Sequence, residues 1–389
     1  MRRMEAEERR ARLAHRHRLT PGRHADDVHD AVRAVVVLHS SDPATVFLSA
    51  RVRTRGFEPA MLERALYEKR TLVRMLGMRR TLFVVPRELV EVVDAACTRA
   101  VAANERRKLE RFVAESGVAD DPAAWVDEAS DAAVAALRAR GDASTSELAG
   151  DHPLLAGKLR LGVGTRWEAE VGAATRILPL LAATGAIVRD RPRGGWTGSQ
   201  YRWVPIERLG PRRDIEPEAA RAELVRAWLA AFGPATETDL RWWTGWTARD
   251  ARAALAVVPH AEVEVDEGTG YVLADDLEPE EHPAPAPALL PALDPTAMGW
   301  KERGWYLGPH SSAIFDRNGN AGPTVWWGGR IVGGWAQRRT GEIVHQLLED
   351  AGAEAGEAIA AECARLAAWL GDVRVTPRFR TPLERELAA

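Results

Sequence analysis

The sequence predicts an α+β protein built from three tandem winged-helix (helix-turn-helix) units and a C-terminal β-rich domain. The chain has 389 residues, of which 46% are hydrophobic, a length that suits about two to four domains with sizeable cores. Apolar residues recur at helical spacing in three successive stretches, and each stretch ends in two short strand-like runs around a turn. A proline-rich segment then separates these stretches from a strand-rich end of the chain.

These patterns divide the chain into six segments. The predicted boundaries are 1–24 for a basic N-terminal arm, 25–115, 116–210 and 211–276 for the first, second and third winged-helix units, 277–288 for a proline-rich linker, and 289–389 for the C-terminal β-rich domain. The arm is compatible with a helix or with a loose basic segment. We expect its two histidines, His15 and His17, to be solvent-exposed.

The first unit begins with an amphipathic helix. Its apolar residues follow the helical spacing i, i+3, i+4, i+7, i+8, namely Val28, Ala31, Val32, Val35 and Val36. This helix should end within 39–43, because Pro43 disfavours helical geometry at Asp42. Two shorter helices are predicted at 44–55 and 59–69, and two short strands with a tight tip lie within 71–86.

The same order is predicted twice more. The second unit combines a helix at 121–140, a turn and short helix at 141–150, a long helix at 167–184, and a glycine-rich hairpin around 193–199. The third unit combines helices at 217–232 and 247–257, a turn and short helix at 233–243, and a wing at 262–273. Thr247 is the predicted N-cap of the last of these helices.

The end of the chain is predicted to be rich in strands. Strand-like runs lie at 288–291, 324–327 and 330–335, and Gly328-Gly329 is a hairpin dipeptide between two of them. A helix at 354–370 and a strand at 372–377 complete the domain.

Composition restricts the kinds of site that the chain can carry. The formal net charge is only −3, so a surface for nucleic acid has to be a local patch. Cys97 and Cys363 lie far apart without CxxC spacing, which argues against a zinc ribbon or a disulfide scaffold. We predict no metal, no cofactor and two buried cysteines. The sequence lacks the roughly eighteen consecutive apolar residues of a membrane helix, and its charged N-terminus predicts a cytoplasmic protein.

The densest charge lies at residues 51–80. Nine basic residues face three glutamates there: Arg51, Arg53, Arg55, Arg64, Lys69, Arg70, Arg74, Arg79 and Arg80 against Glu58, Glu63 and Glu68. Arginine and lysine are the natural ligands of DNA phosphates, and a winged helix commonly presents a helix and a wing to duplex DNA. The residues predicted to bind DNA are Arg51, Arg53, Lys69, Arg70, Arg74, Arg79 and Arg80. Alternatively, the region is a solvated face with internal ion pairs.

A second candidate site is Leu38-His-Ser-Ser-Asp-Pro43. His39, Ser41 and Asp42 combine a titratable base, a hydroxyl and a carboxylate, a group that could hold and polarise a water molecule. The alternative is ordinary structure, because histidine suits a helix C-terminus and Asp-Pro suits a turn. The motifs HExxH, GxSxG and GxxxxGK[ST] do not occur in the sequence.

Several segments, taken in order, resemble the winged-helix DNA glycosylases of the AlkZ/YcaQ type, bacterial enzymes that excise bulky alkylated bases and unhook crosslinks. The resemblance covers about residues 26–380, and its residues are Leu38–Pro43, Gly56–Tyr67, Val73–Leu82, Leu289–Pro295 and Arg330–Trp335. It implies three winged-helix units with a β-rich C-terminal part. The family holds the attacking water with the motif Gln-hydrophobic-Gln or Gln-hydrophobic-Asp, and this chain has His39-Ser40-Ser41 at that place. A second difference is Phe83, at a position where the family tends to have histidine.

The resemblance implies a nucleoid-associated monomer that binds double-stranded DNA, alkylated or crosslinked, without a cofactor. In the first hypothesis the chain hydrolyses the N-glycosidic bond of N7-alkylated purines or crosslinks, with His39 and Ser41 holding water and Asp42 stabilising positive charge on the sugar. In the second, the altered motif leaves a catalytically silent DNA-binding protein that senses lesions or regulates.

Overall fold

The computed structural model describes residues 1–389. It confirms the predicted α+β class, because helices alternate with five small sheets along the chain. No helix is long and apolar enough to cross a membrane.

The first unit consists of short helices around a three-stranded antiparallel sheet. Its helices are Val28–Arg33, Pro43–Arg51 and Pro59–Glu63, the last extended by the π-helical turn Arg64–Glu68, and a later helical stretch joins Val90–Val93, Asp94–Thr98 and Arg99–Ser116. Its strands are Leu38–His39, Leu72–Leu76 and Leu82–Pro86, with 3-10 turns at Met78–Arg80 and Arg87–Leu89. The strand Leu82–Pro86 lies at the centre of the sheet.

The prediction for the first helix was wrong at its C-terminal end. The helix stops at Arg33, and Val36 adopts a left-handed φ of +66° that turns the chain into a strand. His39 therefore pairs with Phe83 across the sheet, and it does not lie at a helix C-terminus. The β-branched run Val35-Val36-Val37 explains the difference, because such residues favour strands even where their spacing resembles a helix.

The second unit has a separate hydrophobic core, formed by residues between Leu109 and Trp203. Its helices are Pro122–Arg140, Thr145–Asp151, Pro153–Ala156 and Ala174–Ala183, and its strands are Lys158–Leu161, Ala169–Gly172, Ile187–Arg193 and Gln200–Pro205, followed by the 3-10 turn Ile206–Leu209. The helix predicted at 167–184 begins only at Ala174. Its first residues form a hairpin instead, held by the cross-strand ion pair Lys158–Glu170 at 2.6 Å.

The third unit contains the helices Pro217–Phe232, Glu237–Thr244 and Ala248–Ala256 and the strands His260–Val265 and Gly268–Leu273. Thr247 caps the last helix by accepting a hydrogen bond from the Asp250 amide, as predicted.

The first 24 residues pack against this unit. Arg2–Arg3 adds a parallel strand to its wing, and the helix Ala6–Arg16 follows. His17 is fully buried and its ring nitrogens contact Thr296 Oγ1 at 2.8 Å and the Ala231 carbonyl at 3.2 Å, so the prediction of an exposed His17 was wrong. Helical spacing alone could not show that a neighbouring unit covers this segment.

The C-terminal region forms a four-stranded antiparallel sheet and several helices. The strands are Pro287–Leu290, Thr324–Trp327, Arg330–Gln337 and Ile343–Leu347, and the helices are Gly304–Leu307, Ser311–Ile314, Ala353–Leu370 and Pro382–Leu387. Gly328 and Gly329 form the predicted hairpin, both with positive φ. No strand forms at 372–377.

A buried ion pair joins the first unit to the C-terminal region. Arg53 follows the helix Pro43–Arg51, and its guanidinium donates two hydrogen bonds to Asp294, at 2.6 and 2.8 Å, with both side chains fully buried. Ser49 Oγ donates to the same carboxylate at 2.8 Å. Burial alone would raise the pKa of Asp294, but the charge and hydrogen bonds of Arg53 outweigh it and lower that pKa. The pair therefore fixes this helix against the C-terminal region.

We expect Arg53→Ala to lower the free energy of unfolding by about 3–5 kcal/mol, because it leaves the Asp294 carboxylate buried without its partner. Urea denaturation at neutral pH measures the change. Arg55→Ala is the matched control, since Arg55 forms an exposed pair with Asp26, and we expect it to leave the midpoint unchanged. Equal effects of the two substitutions would contradict the role assigned to Arg53.

Candidate nucleic-acid interface

A cleft of about 870 Å³ lies between the first wing (the strands Leu72–Leu76 and Leu82–Pro86), the second unit and the segment around Arg378. Four arginines line it, Arg80, Arg189, Arg193 and Arg378, and neither aspartate nor glutamate is among its lining residues. Serine, threonine and glutamine side chains supply most of its remaining polar surface. We call this cavity the basic cleft. In a chain of net charge −3, it is a local patch of the kind that nucleic acid requires.

The four cleft arginines come from three parts of the fold. Arg80 lies at the turn between the strands of the first wing and pairs with Glu105 at 2.8 Å. The second wing consists of the strands Ile187–Arg193 and Gln200–Pro205. Arg193 ends the first of these strands and pairs with Glu147 at 3.0 Å. Arg189, on the same strand, forms no ion pair and stacks 4.7 Å above the Trp203 ring. Burial and the nearby charge of Arg74 lower the pKa of Arg189 to about 10. Arg189 is therefore a charged, uncompensated group at neutral pH.

The floor of the cleft contains Ser40, Ser41 and Tyr201. Behind them lies buried Arg74, which donates to Ser40 Oγ at 2.6 Å and to the Tyr67 hydroxyl at 3.0 Å, and whose guanidinium covers the Tyr201 ring at 4.5 Å. The Tyr201 hydroxyl is buried without a hydrogen-bond partner in the protein, and burial raises its pKa. A polar group in this position is suited to bind a polar atom that enters the cleft.

His39 does not face the cleft. Its ring is only 6% exposed and packs against Phe83 with the ring centroids 4.7 Å apart. Burial, assisted by the charge of Arg79, lowers the pKa of His39 to about 3, so the imidazole is neutral at physiological pH. This placement corrects the expectation that His39 contacts a bound sugar. The strand alternation explains it, because His39 and Ser40 are successive residues and point to opposite faces.

Ser41 lines the cleft, whereas Asp42 lies one layer behind it. Asp42 caps the helix Pro43–Arg51 through the Ala44 amide at 3.1 Å, and its second oxygen accepts from the Arg378 amide at 2.9 Å. Burial raises the pKa of Asp42, although these backbone hydrogen bonds oppose the shift. Burial is the main cause of the raised pKa of Tyr201, and the Asp42 carboxylate adds slightly to it.

Among the seven residues predicted to bind DNA, only Arg80 lines the cleft. Arg53 and Arg74 are buried, Arg51 pairs with Glu362, and Arg70 pairs with Asp190. Arg79 stacks on Trp242 of the third unit at 4.2 Å, and Lys69 borders a separate shallow hollow together with Glu68 and Glu88. A fully buried guanidinium cannot reach a phosphate without losing its partners, so Arg53 and Arg74 lie where they cannot contact DNA.

Arg189, Arg193 and Arg378 were not among the residues predicted to bind DNA. Two local signals pointed to them, the run Arg189-Asp-Arg-Pro-Arg193 before the glycine-rich hairpin and the run Arg374-Val-Thr-Pro-Arg378-Phe-Arg380 near the end of the chain. Both runs are far in sequence from 51–80, so only the folded chain shows that they meet Arg80.

The second wing also closes one side of the cleft. Its tip residue Trp196 packs against Phe47 and Trp369, with ring centroids 5.0 and 5.8 Å apart. Arg191 of the same wing pairs with Glu63 of the first unit at 2.5 Å. These contacts fix the second wing across the first unit and define the cleft wall that carries Arg189 and Arg193.

Comparison with known proteins supports one family. The family model described as DNA glycosylase AlkZ-like matches residues 32–369. The solved structure of Streptomyces sahachiroi DNA glycosylase AlkZ superposes with a TM-score of 0.72 and 22% sequence identity, covering 97% of this chain and 100% of that one. At this identity the structural likeness shows the fold alone. No curated protein sequence matches the chain.

We expect the stability of the protein to fall as the pH decreases below about 6.5, the ordinary pKa of histidine. His17 and His39 both have a pKa lowered to about 3 by burial. Between about pH 3 and pH 6.5, the unfolded chain therefore binds up to one more proton per ring than the folded chain. Each ring lowers the free energy of unfolding by up to about 1.4 kcal/mol for each unit that the pH decreases.

His39→Gln should reduce the slope of unfolding free energy against pH by about one proton between roughly pH 5.5 and 4.5. Urea denaturation at several pH values measures this slope. His282→Gln, at an exposed histidine of the linker, is the control and should leave the slope unchanged. A slope that is the same for wild type and His39→Gln would show that the His39 ring is accessible to protons in the folded state.

Proposed function

This chain belongs to the AlkZ-like DNA glycosylase family, whose family model spans residues 32–369, and from this premise we propose that it binds duplex DNA in the basic cleft and hydrolyses the N-glycosidic bond of N7-alkylated purines or crosslinks. The observation that carries the proposal is the cleft itself, with four arginines and no carboxylate on its wall and the segment Ser40-Ser41 on its floor.

Binding rests on phosphate contacts. Arg80, Arg189, Arg193 and Arg378 bring guanidinium groups from three segments of the fold to one cavity. Guanidinium groups bind phosphate oxygens in a fork geometry, and such contacts position the duplex without reading its sequence. The wall itself carries no carboxylate, and Glu105 and Glu147 pair with Arg80 and Arg193 outside the lining.

The chemistry requires little from the protein. Alkylation at N7 makes the base cationic and a good leaving group, so the protein needs only to position water and to stabilise positive charge on the sugar. Ser41, whose side chain lines the cleft, holds the water in this proposal. Asp42 supplies negative charge from behind the wall, where its hydrogen bonds to the Ala44 and Arg378 amides fix its position. His39 takes no part, because its ring is buried and neutral.

A second candidate is a DNA-binding protein without chemistry, a lesion sensor or regulator. A specific observation favours it: no acidic or imidazole group touches the cleft, so no side chain there could accept a proton from the water. This candidate retains the same DNA surface and predicts binding without release of a base.

Release of N7-methylguanine from duplex DNA separates the two candidates. We expect release by the wild-type protein, a roughly hundredfold slower rate for Ser41→Ala because the water loses its position, and a wild-type rate for Ser146→Ala. Ser146 is the matched control, since its hydroxyl lines the cleft on the second unit, away from the floor. Tight binding without release by the wild-type protein would support the silent candidate, and equal losses for the two serines would contradict the role of Ser41.

Asp42→Asn tests the electrostatic role in the same assay. The amide oxygen can still cap the helix, but the substitution removes the charge and also the acceptor of the Arg378 amide. We expect release to slow by roughly 10²-fold to 10³-fold. The pH profile adds a readout that a purely structural role would not change. Because the pKa of Asp42 is raised, wild-type release should fall as the pH decreases through that raised value. The residual release by Asp42→Asn should lack this step.

A further inference from the structure

We propose that the C-terminal region carries a second phosphate-binding site, which contacts the DNA backbone where the duplex leaves the basic cleft. This inference rests on the proposed binding of duplex DNA. The site consists of Arg338, Arg339, Arg374, Arg380 and Arg385, and we call it the arginine hollow.

The arginine hollow is formed by two adjoining cavities of about 440 and 310 Å³. Arg338, Arg339 and Arg380 line both of them, and Arg374 and Arg385 line one each. Neither cavity has an aspartate or glutamate on its wall. Five arginines therefore surround one depression outside the basic cleft, and the chain-terminal Ala389 also lines it.

Three of the five arginines have partners that keep them in place. Arg338 pairs with Glu342 at 3.0 Å and Arg380 with Glu384 at 2.6 Å. Arg374 donates to the carbonyl oxygens of Gly371 at 2.8 Å and Thr340 at 3.1 Å. The glutamates balance the charges of Arg338 and Arg380, whereas Arg374 contacts only carbonyl oxygens and its charge is not balanced by a carboxylate.

Arg339 and Arg385 are exposed, and their side chains form no hydrogen bond or ion pair. The acidic residues nearest to them in sequence are Glu342, Glu384 and Glu386, and none of these lines the hollow. Unpaired like charges at short range repel each other, and an oxyanion between them removes this cost. Phosphate is the anion whose geometry the guanidinium fork fits.

The turn that presents Arg339 is rigid. Gly341 has a φ of +100°, and a Cβ at this position would lie 2.6 Å from Arg374 Nη2. Arg374 therefore packs directly on the turn between the strands Arg330–Gln337 and Ile343–Leu347 and holds it against the C-terminal segment. A preorganised guanidinium loses less conformational entropy when it binds a ligand.

One segment of the chain borders both the hollow and the basic cleft. Arg378 and Phe379 line the cleft and Arg380 lines the hollow, so one short segment borders both. Two residues of chain span at most about 7 Å, which is about two base-pair steps of a duplex. Gln337 fixes this segment, because its Oε1 accepts from the Val375 amide at 2.8 Å. DNA bound in the cleft would therefore pass the hollow.

The experiment compares the affinity for undamaged duplexes of about 8 and about 24 base pairs by fluorescence anisotropy. Arg339→Ala with Arg385→Ala removes two unpaired, exposed guanidinium groups. We expect about tenfold weaker binding of the long duplex, a slope of log affinity against log salt that is smaller by about two, and near wild-type binding of the short duplex. The matched control is Arg226→Ala with Arg249→Ala, which removes two exposed, unpaired arginines from the third unit.

An equal loss of affinity in the two double variants would show that only net charge matters and would overturn the proposal. The proposal is also overturned if the Arg339→Ala with Arg385→Ala variant loses affinity equally for both duplex lengths, or loses none for either. An unchanged thermal midpoint of each variant confirms that it is folded. The readout is independent of catalysis. If the wild-type protein releases no base but shows the length-dependent loss, the proposed reaction fails and the hollow stands. If the wild-type protein releases base but the double variant Arg339→Ala with Arg385→Ala binds both duplexes normally, only the proposal of a second phosphate-binding site fails.

Discussion

The buried ion pair between Arg53 and Asp294 is the contact on which the arrangement of the site depends. It holds the helix Pro43–Arg51 against the C-terminal region, and the N-terminus of that helix carries Asp42. Asp42 in turn accepts a hydrogen bond from the Arg378 amide, which brings the cleft segment of the C-terminal region to Ser41. A charge pair of this kind is costly to bury, so its value here lies in fixing the relative position of two distant segments.

The electrostatics of the cleft follow from where the acidic residues are placed. The chain contains 56 acidic residues against 53 basic ones, yet none of the acidic side chains lines the cleft. A cleft of this kind attracts the phosphate backbone but gives a cationic alkylated base no stabilisation. In the proposed reaction, bound phosphates neutralise the arginines first, and the carboxylate of Asp42 then supplies negative charge near the floor. This order explains how one cavity could bind an anion and still favour positive charge on a sugar.

Local patterns in the sequence predicted the fold class and most helices, because periodicity and capping are local properties. Thr247, for example, caps its helix as its position before the apolar run indicates. The site was harder to predict. The valines at 35–37 satisfy both helical spacing and strand propensity, and the choice between them decides whether His39 or Ser40 faces the cleft. Charge density at 51–80 could not separate buried Arg53 from exposed Arg80, because burial depends on segments more than two hundred residues away.

The central claim is that duplex DNA binds in the basic cleft, and the salt dependence of binding tests it most directly. Arg189→Ala with Arg193→Ala removes two cleft cations, whereas Arg64→Ala with Lys69→Ala removes two exposed cations outside the cleft. If the claim is correct, the slope of log affinity against log salt concentration is smaller by about two for Arg189→Ala with Arg193→Ala. The slope for Arg64→Ala with Lys69→Ala equals that of the wild type. A normal slope for the cleft variant together with a reduced slope for the other would place the DNA elsewhere and contradict the claim.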